Sequence, residues 1–267
     1  NVTTTGAQTY NDAVSLTGNV VLNAPVITTA STMAAGSYSF TMITDALTLG
    51  GNVSGSGALT IQPKTASTTI GIGSAASGTL SLNDTEVGRL VDGFSSITLG
   101  STAGTGAINI NYSAASFTFA DPLVIRSASG NITATDALKT GTNNLTLTTG
   151  GTISLAGVNS GALSVTGAAI TLNNDITTTG SQSYTAPVTL ANSVTLDGGS
   201  SGAVSFSSTV NSANATARDL NISAGSGDVT FSGAVGNTYA LGAIAIDSTG
   251  TTTFGSTVNA DSVTTNT

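Results

Sequence analysis

Val2-Thr3-Thr4-Thr5-Gly6-Ala7-Gln8-Thr9-Tyr10 returns later in the chain as Ile176-Thr177-Thr178-Thr179-Gly180-Ser181-Gln182-Ser183-Tyr184. The same offset carries Val14-Ser15-Leu16 onto Val188-Thr189-Leu190, and Val20-Val21-Leu22 onto Val194-Thr195-Leu196, without a gap. Self-similarity on this scale marks a chain built from stacked units, each too small to bury its own apolar face. A further start is expected near Val263-Thr264-Thr265, half of that offset beyond Ile176; the chain ends two residues later, and the midpoint Arg89 carries no copy. The reading is therefore a single β-solenoid segment over 1–267, an excerpt of a longer repetitive protein, with copies starting near 2, near 176 and next near 263.

The unit is visible between the copies. Triplets of the form apolar, polar, apolar recur throughout, as in Leu47-Thr48-Leu49, Leu59-Thr60-Ile61, Leu80-Ser81-Leu82, Ile97-Thr98-Leu99, Ile108-Asn109-Ile110, Phe117-Thr118-Phe119, Leu145-Thr146-Leu147, Ile153-Ser154-Leu155, Leu163-Ser164-Val165, Ile170-Thr171-Leu172, Val204-Ser205-Phe206, Leu220-Asn221-Ile222 and Ile244-Ala245-Ile246. Period two places the outer residues on one face, so each triplet is a strand buried on one side. Corners are expected at Gly50-Gly51, Asn173-Asn174-Asp175 and Asp197-Gly198, where such residues supply positive backbone angles. There are too many short strands for a sandwich, whereas stacked coils let each triplet pair with its counterparts above and below. Toward the end of the chain Phe206, Phe231 and Phe254 are each followed four residues later by Val210, Val235 and Val258. Their spacing predicts coils of 23–25 residues, each of three short strands and three corners, with apolar residues inside and Thr, Ser and Asn outside. The fold class is all-β, a parallel β-helix.

One stretch departs from this pattern. Asn83-Asp84-Thr85-Glu86-Val87-Gly88-Arg89-Leu90-Val91 offers a capping residue, first-turn acidity and an apolar face, and predicts a short helix near 84–91 with Glu86 and Arg89 paired on its surface.

Composition agrees with a folded, helix-poor chain. Only 7% of the residues are charged and 4% aromatic, yet 39% are hydrophobic and the mean hydropathy is +0.28, too apolar for a chain kept open by charge. A net charge of −8, with the basic residues Lys64, Arg89, Arg126, Lys139 and Arg218 scattered, argues against nucleic acid as a partner. Cysteine and histidine are absent, which excludes disulfides, thiol sites, serine triads and the usual transition-metal sites. No apolar run reaches the roughly 20 residues needed for membrane insertion as a helix.

Few residues suggest chemistry. Asp84 and Glu86 are close in sequence, but two apart on a helix they diverge, and Asp84 reads as a helix cap. Asp175, Asp197 and Asp219 are evenly spaced, so stacking in one column would favour a bound cation; the alternative is ordinary corner aspartates. The pieces Thr3–Thr5, Thr146–Thr148, Thr177–Thr179 and Thr251–Thr253 invite comparison with ice-binding solenoids, although their spacing is irregular and Thr suits any outward strand position. Tyr10 and Tyr184 are read as corner packing rather than as a sugar platform. No catalytic residue, cofactor site or enzyme activity is predicted.

The chain resembles the filamentous-haemagglutinin-like exoproteins of bacteria, adhesins exported by two-partner secretion or as autotransporter passengers. The resemblance lies in Thr3 to Asp12, in Thr251 to Val258, and in Leu80 to Leu99, where Leu-Ser-Leu, a short acidic helix and Ile-Thr-Leu-Gly follow in that order. It implies a right-handed β-helix at the bacterial cell surface or secreted, serving as a structural rod, stalk or extracellular filament in adhesion. Expected partners are further solenoid segments of the same polypeptide, self-association into fibres, and glycan or host-surface contact. A polysaccharide-acting β-helix enzyme and an ice-binding solenoid are the alternatives.

Overall fold

Each triplet buries two side chains and exposes one, and a strand that short gains stability only by pairing along its whole length with strands on both sides. The computed structural model, which describes residues 1–112 and 117–266, satisfies this demand by parallel stacking. The chain divides into two compact units, 1–133 with 148–150, and 134–147 with 151–267. Each is a parallel β-solenoid, consistent with a right-handed parallel β-helix.

In the first unit one face stacks Val2–Thr3, Val20–Asn23, Phe40–Ile43, Ala58–Gln62, Ser96–Gly100 and Leu123–Arg126 in that order. A second stacks Gln8–Tyr10, Val26–Thr29 and Ala46–Leu49, and a third Val14–Ser15, Met33–Ala34 and Val53–Ser54. In the second unit one face runs Leu138–Lys139, Val158–Ser160, Ile176–Thr178, Val194–Asp197, Leu220–Gly225, Leu241–Ser248 and Ala260–Asn266. Another holds Leu163–Thr166, Gln182–Tyr184, Val204–Phe206, Val229–Phe231 and Thr252–Phe254. The last holds Thr152–Leu155, Ala169–Leu172, Val188–Leu190 and Val210–Ser212, and is continued by single bridges from Val210 to Val235 and from Val235 to Val258.

Of the predicted triplets, all but Phe117-Thr118-Phe119 lie in strands. That triplet is left over because Leu123–Arg126 already fills the ladder position above Ile97. Phe119 is buried all the same and meets Phe117 edge-on at 5.1 Å.

Coil length follows from the register. Val2 stands opposite Leu22 and Val20 opposite Phe40, twenty residues on; the step from Ile153 to Ile170 is seventeen, and the step from Val194 to Leu220 is twenty-six. The predicted 23–25 residues therefore hold for the coils from which they were read, Val204 to Val229 and Val229 to Thr252, while most coils are nearer twenty. The difference lies in the corners, because extra residues such as those between Ser212 and Leu220 leave the ladder unchanged.

Corner chemistry also differs from expectation. Among the described residues, positive φ occurs only at glycines, and none of the quoted Asn, Asp or Gly corners takes it. Gly50 and Gly51 are small for another reason: a Cβ on either would overlap the backbone of Thr29 to Thr32 in the coil beneath. Gly100, with φ +96°, meets both demands, since its Cβ would run into the Arg126 carbonyl.

The Phe series is a stacked column. Tyr184, Phe206, Phe231 and Phe254 lie ring on ring at 5.1, 4.9 and 5.0 Å, with interplanar angles of 12°, 9° and 6°. Ring spacing is set by the strand repeat of about 4.8 Å rather than by the rings' own preference for offset or edge-on geometry. Phe231, fully buried between two rings, is the most sensitive member of the column. Phe231→Ala is expected to lower stability by about 3–5 kcal/mol, and Phe231→Leu by clearly less, as read from the midpoint of urea unfolding.

Candidate functional site

The repeated sequence builds the same polar cluster twice, once in each unit. In the first copy Gln8 turns inward, and its Nε2 donates to the Val2 carbonyl at 3.1 Å, to Thr4 Oγ1 at 3.2 Å and to the Asn23 carbonyl at 3.2 Å. Thr4 Oγ1 donates to the Gly6 carbonyl at 2.7 Å, and the Tyr10 hydroxyl donates to Gln8 Oε1 at 3.0 Å. In the second copy Gln182 Nε2 reaches the Ile176 carbonyl at 3.5 Å, Thr178 Oγ1 at 3.2 Å and the Asp197 carbonyl at 2.8 Å. Thr178 Oγ1 donates to the Gly180 carbonyl at 2.5 Å and Tyr184 to Gln182 Oε1 at 2.8 Å. The glutamine thus adds a side-chain donor to carbonyls where the chain turns from one face to the next, the Asn23 carbonyl also accepting the Thr4 N–H and the Asp197 carbonyl the Thr178 hydroxyl, and it ties that corner to the coil above. Tyr184 is fully buried, and burial drives its hydroxyl far above the usual phenol range; Tyr10 is half-buried and shifted the same way for the same reason. Neither tyrosine is a corner residue, contrary to expectation: both end strands, at Gln8–Tyr10 and Gln182–Tyr184, and the Tyr184 ring stacks on Phe206 in the core. The glutamine's role was missed in the sequence, where its invariance across the two copies was the available signal.

The stretch 83–91 proves to be a cap over two strand edges. The helix covers only Asp84–Val87, with Asn83 as N-cap in a capping box with Glu86. Asp84 is therefore not the cap; its Oδ1 accepts the Ser74 N–H at 2.8 Å. Glu86 and Arg89 do not stand as a surface pair. Buried Glu86 accepts the Leu49 N–H on Oε1 at 3.0 Å and the Asn83 N–H on Oε2 at 3.1 Å, while Arg89 Nη1 donates to the Leu49 carbonyl. Two side chains thereby take the place of a next strand beside Ala46–Leu49. The third face is closed by backbone: Val53 N–H donates to the Arg89 carbonyl, Val91 N–H to the Val53 carbonyl, and Leu90 bridges to Val53. The helix is shorter than expected because Leu90 leaves it to enter this bridge.

Asp175, Asp197 and Asp219 do not form a column. The strand residues Ile176, Leu196 and Ile222 are in register, twenty and then twenty-six residues apart, so aspartates spaced evenly drift off one another. Asp197 stands opposite Thr177 and Ser223, whereas Asp175 and Asp219 precede their strands. Each carboxylate has structural work. Asp175 Oδ1 accepts the Thr195 N–H at 2.7 Å, Asp219 Oδ1 the Ala243 N–H at 2.8 Å, and Asp197 Oδ1 the Gly199 N–H at 2.8 Å.

The first two follow a rule that recurs in both units. Asn1 accepts from Val21, Asn19 from Ser39, Asn144 from Ala162 and Asp228 from Thr251, all at 2.7 to 2.9 Å and all across one coil. Asp45 is the most developed case, accepting from Lys64 N–H, Thr65 N–H, Thr65 Oγ1 and Thr68 Oγ1 at 3.0, 2.8, 2.6 and 2.8 Å. Partial burial raises its carboxyl, but the hydrogen bonds from Thr65, Thr68 and Lys64 outweigh this and hold it below the usual range.

Outward threonines form single files. Thr9, Thr28 and Thr48 stack on one face of the first unit, and Thr41, Thr60 and Thr98 on another, beside a file of Asn23, Ile43 and Gln62. In the second unit the files are mixed, for example Ser183, Ser205, Thr230 and Thr253.

The structure also joins two carboxylates far apart in sequence, Asp92 and Asp121. Asp121 is 3% exposed and its Oδ1 accepts the Gly93 N–H at 2.9 Å. Burial raises its carboxyl; the Gly93 and Phe94 N–H groups oppose this, and the neighbouring Asp92 raises it further. Sequence reading missed the pair because 28 residues separate its hydrogen-bonded strands of chain. Among the described residues no group of three or more acidic side chains is placed to hold a metal, and no helix is long and apolar enough to cross a membrane. No family model, curated protein or solved structure matches the chain.

Gln182→Ala is expected to cost about 2–3 kcal/mol, since it leaves the buried Tyr184 hydroxyl without its acceptor and removes the amide's own bonds to Thr178 and the Asp197 carbonyl, and Tyr184→Phe only about 1 kcal/mol, the value of one hydrogen bond; chemical denaturation of the two variants checks the order. Asp45 has the opposite signature, in pH. Its folded value lies below the ordinary aspartate value of 3.8, so its stabilisation is complete above that value and is lost as pH falls through the lower folded one. Asp45→Asn should therefore be less stable than the parent at pH 7 and converge on it near pH 2, measured as thermal midpoints across that range.

Proposed function

We propose that this chain is a rod or stalk segment of a large secreted bacterial surface adhesin or extracellular filament, with a mechanical role in adhesion or surface structure. The observation that carries this reading is where the polar side chains are spent. Gln8, Gln182, Thr4, Thr178 and the corner asparagines and aspartates bind backbone of their own or the adjacent coil, which is what an element selected for extension and stiffness requires. The resemblance of Thr3 to Asp12 and Thr251 to Val258 to filamentous-haemagglutinin-like exoproteins points the same way. Its partners in this reading are further solenoid segments of the same polypeptide, its own kind in fibres, and glycans or host surfaces met by the Thr, Ser and Asn exterior. Ice binding draws less support, because ordered water calls for evenly ranked threonines in adjacent files and the files here are single or mixed.

The test is immunogold electron microscopy of the native host, with antibody raised against this chain. Label along extensions outside intact cells is the expected result. Label confined to the interior of sectioned cells, or release of sugars from surface polysaccharides by the purified chain, would overturn the proposal.

A further inference from the structure

We propose that the outward face of four successive strands in the second unit, Val194–Asp197, Leu220–Gly225, Leu241–Ser248 and Ala260–Asn266, carries a groove for a neutral glycan chain. This gives a place and a chemical class to the glycan contact proposed above, and it rests on that reading. Register sets the outward side chains of these strands in two files. Thr195, Asn221, Ala245 and Thr264 stand on one another in the first, and Ser223, Asp247 and Asn266 in the second. The files lie two residues apart along each strand, about 6.6 Å, and their members about 4.8 Å apart up the stack. Between them runs a groove of about 370 Å³ with Ile222 and Ile246 at its base. Ala245 interrupts the first file with a side chain that reaches no further than Cβ, which widens the groove between Asn221 and Thr264.

What sets this face apart is that its polar side chains do not serve the scaffold. The corner asparagines and aspartates bind backbone one coil away, and the outward strand asparagines Asn109 and Asn211 bind the Ser77 carbonyl and the Thr238 N–H. Asn221 and Asp247 also stand within strands, where both residue types are disfavoured, yet neither bonds to backbone through its side chain. The one side-chain hydrogen bond in the groove runs from Asn266 Nδ2 to Asp247 Oδ1 at 2.9 Å. It leaves Asp247 Oδ2, Asn266 Oδ1, the Asn221 amide and the hydroxyls of Thr195, Ser223 and Thr264 without a partner in the protein, on residues that are exposed or half-buried. A local rule broken with no structural gain is the mark of a functional position.

The chemistry of the groove fits a sugar. A pyranose ring has an apolar C–H face and a rim of hydroxyls that both donate and accept; Ala245 and the base of the groove suit the first, and amide, carboxylate and hydroxyl groups on both walls suit the second. The charge selects against acidic sugars, since Asp247 is the charged residue in the groove and no lysine or arginine lines it. A protein partner is disfavoured because the groove offers no aromatic or large exposed apolar anchor. The second file continues along the same face through Asp197, Thr177 and Asn159, so an extended chain meets further polar groups in line.

The experiment presents the whole chain, as parent, Asn221→Thr and Asp247→Thr, to an array of immobilised neutral gluco-, galacto- and manno-oligosaccharides and their sulfated and sialylated counterparts, with thermal unfolding of each variant alongside. The parent is expected to bind neutral glycans in preference to the anionic ones, and each variant to bind them about tenfold more weakly. Threonine is favoured at outward strand positions, so both variants should unfold at the parent's temperature or above it. Retention of the parent by anionic glycans alone, or by none, overturns the proposal. So does neutral-glycan binding that both variants keep in full, which would put the contact elsewhere on the surface. Midpoints that fall in both variants would assign Asn221 and Asp247 to the scaffold and overturn it as well. Immunogold label outside cells with no neutral glycan bound refutes the groove and leaves the rod standing, whereas label confined to the cell interior refutes the rod itself.

Discussion

Parallel backbone pairing between strands one coil apart is the constraint on which everything else rests. Most strands are two to four residues long and make few hydrogen bonds each, so none of these is stable unless its neighbours above and below are in register. Register then forces like to stand on like. Phe206, Phe231 and Phe254 stack because their strands do, and the near-parallel rings follow from the backbone spacing. Outward residues obey the same rule, which is why threonines fall into files on the first unit without any ligand being needed to explain them.

The corners are where a solenoid is vulnerable, because the chain there leaves the ladder and its amides and carbonyls lose their regular partners. Short side chains with an acceptor on a short stem resolve this. Asn1, Asn19, Asp45, Asn144, Asp175, Asp219 and Asp228 each reach a backbone N–H one coil away. Glutamine, one methylene longer and carrying donors, does the complementary job for carbonyls at Gln8 and Gln182. The scarcity of Lys and Glu is then intelligible, since long charged side chains serve neither purpose. Glu86 is the exception that fits, because it and Arg89 substitute for an entire strand edge at Leu49. Covering that edge with an acceptor on one side of Leu49 and a donor on the other leaves no row of free backbone groups for another chain to join.

Much of this was legible in the residues. Alternation of apolar and polar positions fixed the strands and the side each buries, and the recurrence of Phe and Val fixed the coil near the end of the chain. The copy starting at Ile176 told where the same corner recurs, although not what it is made of. These are local properties: period two and glycine content act within a few residues, so they can be read without knowing the partners.

What only the tertiary structure decided depends on how many residues each coil takes. Even spacing of Asp175, Asp197 and Asp219 suggested a column, but coils of twenty and twenty-six residues put the three in different rows. The same variation brought Asp121 beside Asp92 and laid Glu86 and Arg89 on Leu49, contacts that no motif announces. The sequence by itself determined the strand, its buried face and the all-β solenoid. Register across coils, and with it every side-chain cluster, was decided by corner lengths, because ladder pairing tolerates inserted residues only where the chain is already turning.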